Sequence, residues 1–190
     1  MKIQGIYGSP RKGGNTDILL GELLGSARER GADIDEIYLR KLNMKPCLEI
    51  YGCKKDGRCV IRDDFDLVYD KLEAADAIVV ASPIFFYTVS AHTKILIDRC
   101  QSFWVRKYLL NDPICAGRQP RRGVFIGVGA STGKKLFDGV LLTIKYFFNV
   151  LDVEIFDTLL VRGIDEKGGI LGQPEIIEKA RGIGKRLTED

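Results

Sequence analysis

Short apolar runs alternate with stretches of helical periodicity along the whole chain, and that alternation leaves few folds open. Residues 2–8 form an apolar run closed by Gly8-Ser9-Pro10, and residues 33–39 alternate as a second strand. Residues 76–82, 122–128 and 153–161 supply three more, the first of them apolar enough to be buried on both faces. Ile18, Leu19, Leu20, Leu23, Leu24 and Ala27 recur at helical spacing behind Asn15, Thr16 and Asp17 as candidate caps. Further helical patterns cover 64–74, 89–102 and 134–149, and a closing helix begins at Pro174 with Ile176, Ala180, Ile183 and Leu187 on one face. Five strands alternating with five helices predict an α/β fold, one parallel sheet covered on both sides.

Composition narrows the function classes. The 190 residues are 45% hydrophobic, ample for a core and incompatible with disorder. Twenty-nine basic against 26 acidic side chains leave +3, too weak a balance to argue for nucleic acid. No apolar run reaches the roughly 18 residues of a membrane span. Met1–Gly5 enters a strand at once, so no leader is expected and the protein is read as cytoplasmic. Cys47, Cys53, Cys59, Cys100 and Cys115 are then reduced thiols or metal ligands rather than disulfides. One domain is expected over 1–190, with a cysteine-containing insertion at about 40–63 and a long connection at about 103–121.

The first strand ends in Ser9-Pro10-Arg11-Lys12-Gly13-Gly14-Asn15-Thr16, and a helix follows. Two glycines let backbone N–H groups approach an anion at which the helix points its positive end. Ser9 and Thr16 offer hydroxyls, Asn15 an amide and Arg11 a charged donor. A triphosphate loop G-x-x-x-x-G-K-[ST] is absent; residues 128–135 come nearest and fail at Val128 and Lys135. The dinucleotide pattern G-x-G-x-x-G fails as well, because Gly127, Gly129 and Gly133 carry one residue too many. What remains is a monophosphate held without a metal.

Several motifs together resemble the flavodoxin-like NAD(P)H-dependent FMN reductase family, including its iron–sulfur flavoprotein branch. They are G-S-P-R-K-G-G-N-T (8–16), P-C-x5-C-x5-C (46–59), the Asp pair at 63–64, A-D-A-I-V-V-A-S-P-I-F-F (75–86), V-S-x-x-x-K (89–94) and I-D-R (97–99). The resemblance implies a doubly wound sheet of five parallel strands in the order 2-1-3-4-5. It implies FMN, with Ser9, Arg11, Asn15 and Thr16 at the phosphate and Lys12 and Gly14 in the same loop. Pro83, Ile84, Phe85 and Phe86 would border the flavin ring, with Phe85 where the family often has Tyr. Gly129, Ala130 and Ser131 either form a third wall or a glycine-rich turn capping the next helix.

The family's cluster spacing falls here on Cys47, Ile50, Cys53 and Cys59, so one position is not a thiol. A four-iron cluster takes four thiolates and zinc four donors. Either Glu49, Asp56 or an open iron completes a site, or the thiols are small groups packed beside the flavin or a neighbouring subunit; the second is the reading adopted. Asp98-Arg99 is read as a structural ion pair, and Arg118, Arg121 and Arg122 as a solvated rim or an attraction for a nicotinamide phosphate. His92 receives no role.

The activity expected is transfer of hydride from NAD(P)H to FMN N5, then of electrons to a second acceptor: free flavin, a quinone-like compound or an iron–sulfur partner. No catalytic acid or base side chain is needed. The rivals are a non-enzymatic carrier like flavodoxin and an iron–sulfur flavoprotein in electron transfer. A homodimer or homotetramer is expected, with the segment around Trp104 and Tyr108 covering a partner's flavin.

Overall fold

The computed structural model describes residues 1–116 and 120–189. Five parallel strands, β1 (Lys2–Tyr7), β2 (Asp33–Tyr38), β3 (Ala77–Pro83), β4 (Arg121–Gly129) and β5 (Val153–Arg162), form one sheet in the order β2-β1-β3-β4-β5. Helix α1 (Asn15–Glu29) and helix α6 (Pro174–Leu187) cover one face. Helices α2 (Phe65–Ala74), α3 (Ala91–Arg99), α4 (Gln101–Tyr108) and α5 (Asp138–Val150) cover the other. The expected topology is present, and among the described residues no helix is long and apolar enough to cross a membrane.

The two-residue period of β3 explains its unbroken apolar run. Ile78 and Val80 enter the core beneath α2–α5, while Ala77, Val79 and Ala81 enter the core beneath α1 and α6. Over the second core α1 and α6 lie close together. A Cβ on Gly184 of α6 would run into the Leu23 carbonyl and the Ser26 hydroxyl of α1. That hydroxyl lies 2.9 and 2.8 Å from the Leu23 and Arg181 carbonyls, so it ties the two helices where they touch.

Three expectations are corrected. The helical pattern at 89–102 is two helices meeting at buried Cys100, and α4 takes up the first part of the expected long connection at 103–121. The restart lets Phe103 stack on Tyr69 of α2, ring centroids 4.0 Å apart, a contact no local pattern encodes. The helix expected from 134 begins only at Asp138, because Arg162 holds the Gly133 and Lys134 carbonyls (3.3 Å each) and keeps that stretch in a turn. Arg121 and Arg122 are not a solvated rim. Arg121 is buried and donates to the carbonyls of Leu72 (2.6 Å), Ala75 (2.8 Å) and Leu151, at the last turns of α2 and α5. Arg122 donates to the Leu187 carbonyl (3.2 Å) and lies over the Phe156 ring. Both begin β4, at the amino edge of the sheet, and Arg118 lies outside the described residues.

The α1–α6 contact generates a stability prediction. Gly184→Ala forces two backbones apart and lowers unfolding free energy by about 1–3 kcal/mol. Urea unfolding followed by circular dichroism measures it, and an unchanged midpoint would refute the close contact.

Candidate functional site

After β1 the chain winds to β2 on one side, then crosses to β3 on the other, so a crevice opens between the carboxyl ends of β1 and β3. The loops leaving those strands are fastened together. Gly8 donates its amide to the Ala81 carbonyl (2.8 Å), and its own carbonyl accepts from the Ser90 hydroxyl (2.5 Å). The Ser90 amide donates to the Ser82 hydroxyl oxygen (2.9 Å), and Ser90 caps α3 by accepting from the Thr93 amide (3.3 Å). A side chain at Gly8 would collide with the Thr93 hydroxyl and the Ala81 carbonyl. Ser82, Ser90 and Thr93 were not singled out from sequence. Their signal is Ser90-x-x-Thr93 just ahead of an apolar run, a hydroxyl cap.

The loop over 8–14 is shaped by its own polar groups. The Ser9 hydroxyl oxygen accepts from the Arg11 amide (3.1 Å), and Gly13 sits at φ +68°, in the left-handed region that favours glycine. Gly14 is the N-cap of α1 and no side chain caps that helix. The expected capping residues are engaged elsewhere. Asn15 donates to the Glu166 carbonyl (2.9 Å) and accepts from the Ile170 amide (3.3 Å), while Asp17 accepts from the Gly13 amide (2.9 Å) and pairs with Arg40 (3.0 Å). Arg11 is exposed and reaches the Asp165 carbonyl (3.2 Å); Lys12 is exposed beside it. Thr16 is buried, and its hydroxyl makes no hydrogen bond among the described residues. Segment 163–170 therefore walls this loop, which sequence reasoning did not foresee although Gly163, Gly168 and Gly169 punctuate it. An α-helix start without a side-chain cap, behind a left-handed glycine and beside an unbonded hydroxyl, has the donor set of an oxyanion site. The residues fit the phosphate of FMN.

The loop after β3 presents aromatic rings to solvent. Phe85 and Thr88 exchange amide-to-carbonyl bonds (3.0 Å each) across a two-residue turn. Its central residues, Phe86 (φ +49°) and Tyr87 (φ +62°), are both left-handed, a pattern that normally selects Asn-Gly. Holding non-glycine residues there costs about 1 kcal/mol or more each. Phe86 is 99% exposed, and Phe85 and Tyr87 are about half exposed, so this is not a pair of core aromatics. Pro83 is half-buried, whereas Ile84 turns its side chain into the core and gives its amide to the Val128 carbonyl (2.9 Å). Gly129 is buried against Leu136, and Ala130 and Ser131 are exposed beyond it, with Ser131 accepting from the Gly133 amide (3.2 Å). A strained, solvent-facing aromatic turn at the same sheet edge as that donor set fits a planar ring joined to a phosphate.

The cysteine segment is organised by Arg99, whose side chain is fully buried. Its guanidinium donates to Asp63 (2.7 Å) and to the Lys45 and Ile61 carbonyls (2.9 and 3.0 Å), touches the Cys59 thiol, and lies over the Phe65 ring. The expected Asp98–Arg99 pair is absent: Asp98 pairs with Lys94 one turn back (2.7 Å), because Arg99 points inward from α3. Burial pushes the Asp63 carboxyl up, but bonds from Arg99, Lys45 and Phe65 outweigh it and hold the group below the usual carboxylate range. Burial pushes the Cys53 thiol up, and the nearby Cys59 and Cys47 add to that. A four-thiolate cluster does not fit the residues present. Ile50 is exposed where a fourth thiol would stand, and among the described residues no three Cys, His, Asp or Glu side chains converge as a metal site. A groove of about 660 Å³ runs past Cys47 and Cys53 between α4 and α5 and is lined by Tyr51, Trp104 and Tyr146.

Removing one partner of the buried pair isolates the other. Arg99→Met is expected to cost about 3–5 kcal/mol in urea unfolding. Because Asp63 is held low, its contribution in the parent is complete above pH about 4 and is lost as pH falls through the depressed value. The variant therefore lacks that acid limb, and retention of the limb would disprove the pairing.

Comparison with known proteins agrees with this geometry. The family described as NADPH-dependent FMN reductase matches residues 1–135. An iron–sulfur flavoprotein of Methanocaldococcus jannaschii is 31% identical over 204 aligned positions, covering 100% of this chain and 96% of that protein. An iron–sulfur flavoprotein of Methanosarcina thermophila is 38% identical over 116 positions, 61% of each chain. Among solved structures, a flavone reductase superposes with a TM-score of 0.73 at 23% identity over 100% of this chain and 62% of its own, a likeness of fold. The chain thus spans about three fifths of the length of the last two. With the phosphate-type loop, the family match and the sheet in agreement, the chain belongs to the NADPH-dependent FMN reductase family and is a flavoprotein oxidoreductase.

Proposed function

We propose that this protein is an FMN-dependent NAD(P)H oxidoreductase whose flavin lies across the carboxyl ends of β1, β3 and β4. The observation that carries the reading is the start of α1, free of a side-chain cap, set beside the strained aromatic turn. When FMN is bound, it supplies hydride acceptance at N5 and release of electrons to a small-molecule acceptor or a redox protein.

The chain's own residues bind, orient and exclude water. The Thr16 hydroxyl, the Ser9 loop and the first-turn amides of α1 would hold the phosphate, with Arg11 and Lys12 adding charge at its exposed side. Asn15 acts through segment 163–170 rather than as a direct ligand. Pro83, Phe85 and Phe86 would wall the ring, and Gly129, Ala130 and Ser131 would let backbone approach its polar edge. Ile84 supports that wall from the core. No side chain is assigned a proton-transfer role. Five free cysteines suit a reducing, cytoplasmic setting.

Anaerobic stopped-flow mixing of the FMN-loaded protein with NADH or NADPH tests the enzyme against the carrier. Loss of flavin absorbance within the turnover time is expected, and its absence would identify a flavodoxin-like carrier instead.

A second copy of this chain is the proposed cover for the exposed ring site. Tyr51, Trp104 and Tyr146 line the groove, and Ile50 and Tyr108 are exposed as well, apolar surface of the kind that self-association buries. Sedimentation velocity should return a dimer or tetramer that Trp104→Glu weakens; a monomeric parent would reject this arrangement.

A further inference from the structure

Among the buried charges, one ion pair touches both ends of the first loop. Arg40 lies in a single 3₁₀ turn (Leu39–Lys41) directly after β2, and its side chain is 11% exposed. It donates to the Ser9 carbonyl (3.1 Å) and to both carboxylate oxygens of Asp17 (3.3 and 3.0 Å). Asp17, 8% exposed, in turn accepts the Gly13 amide (2.9 Å). The residue that opens the loop and the left-handed glycine that closes it are thus fixed by the same two side chains.

The charge arithmetic is equally specific. Asp17 stands in the first turn of α1, where a carboxylate by itself suits the helix dipole. In this chain that same turn is the proposed seat of a phosphate, so a bare carboxylate there would repel the ligand. Arg40 cancels the carboxylate while leaving the first-turn amides unoccupied.

We infer that Arg40, acting with Asp17, is a positioning residue that makes flavin binding depend on the 5′-phosphate; this rests on the reading of the site given above. Arg40 shapes the loop from Ser9 to Gly13 and neutralises Asp17, so the 5′-phosphate meets aligned N–H groups and no net negative charge. The isoalloxazine wall, built from the β3 and β4 loops, does not involve the pair.

Fluorescence titration of the full-length chain with FMN and with riboflavin separates the two contributions. The parent should prefer FMN by about a hundredfold, the scale of two or more charge-assisted bonds. Arg40→Met leaves Asp17 uncompensated and should cut FMN affinity by about tenfold or more, with riboflavin affinity unchanged. Asp17→Asn should move the ratio the other way, raising the preference, because Arg40 then faces the phosphate with its full charge. The double variant should fall between the two. A pair with a merely structural role would lower both affinities alike in both variants, and that result overturns the inference, as does a preference unchanged in Arg40→Met. A parent that binds FMN no better than riboflavin overturns the phosphate reading as well, which distinguishes the two failures. Should Arg40→Met fold poorly, the opposite-signed response of Asp17→Asn decides the matter alone.

Discussion

The two hydrogen bonds at Gly8 hold the crevice together, one from its amide to β3 and one to its carbonyl from the cap of α3. They bring the starts of α1 and α3 to the same edge of the sheet, each with a positive end. The two starts are not equivalent. At α3 the Ser90 side chain answers the Thr93 amide, whereas at α1 Gly14 offers no side chain and Asn15 and Asp17 are engaged elsewhere. Of these two starts, the one with donors left over is therefore α1.

Little-exposed arginines recur at three places where the backbone leaves regular structure. Arg40 takes the Ser9 carbonyl in the first loop, and Arg99 takes those of Lys45 and Ile61 in the cysteine segment. Arg121 takes three carbonyls at the ends of α2 and α5. Buried carbonyls without a ladder partner need a donor, and one guanidinium serves several at once. Arg40 and Arg99 each add an aspartate that also accepts loop amides, so segments with little regular structure gain fixed partners. In the cysteine segment that role falls to Arg99 and Asp63, while the three thiols stay partly buried around it.

Local pattern made most of the architecture legible. The doubly buried run of β3, the proline start of α6 and the loop closing β1 are each written in consecutive residues, and each formed where expected. Legibility ended where a contact joined distant parts of the chain. The break at Cys100 depends on Phe103 finding Tyr69, the delayed start of α5 on Arg162, and the burial of Arg121 on the ends of two helices. Charge type alone placed Arg121 and Arg122 at a wet rim, since nothing adjacent in sequence reveals the carbonyls awaiting them. The same limit hid segment 163–170, which follows β5 at the far edge of the sheet, and Arg40, which follows β2 beside β1.

By itself the sequence determined the alternation of strands and helices, the glycine-rich exit from β1 and the absence of a triphosphate or dinucleotide signature, because these depend on residues next to one another. Only the tertiary structure decided which hydroxyls and amides stay free, that Asn15 and Asp17 are engaged by other segments, and that Phe86 stands in solvent on a left-handed turn. A hydrogen-bonding group has one set of partners, and which set wins depends on chain segments as much as 159 residues apart that meet when the sheet closes.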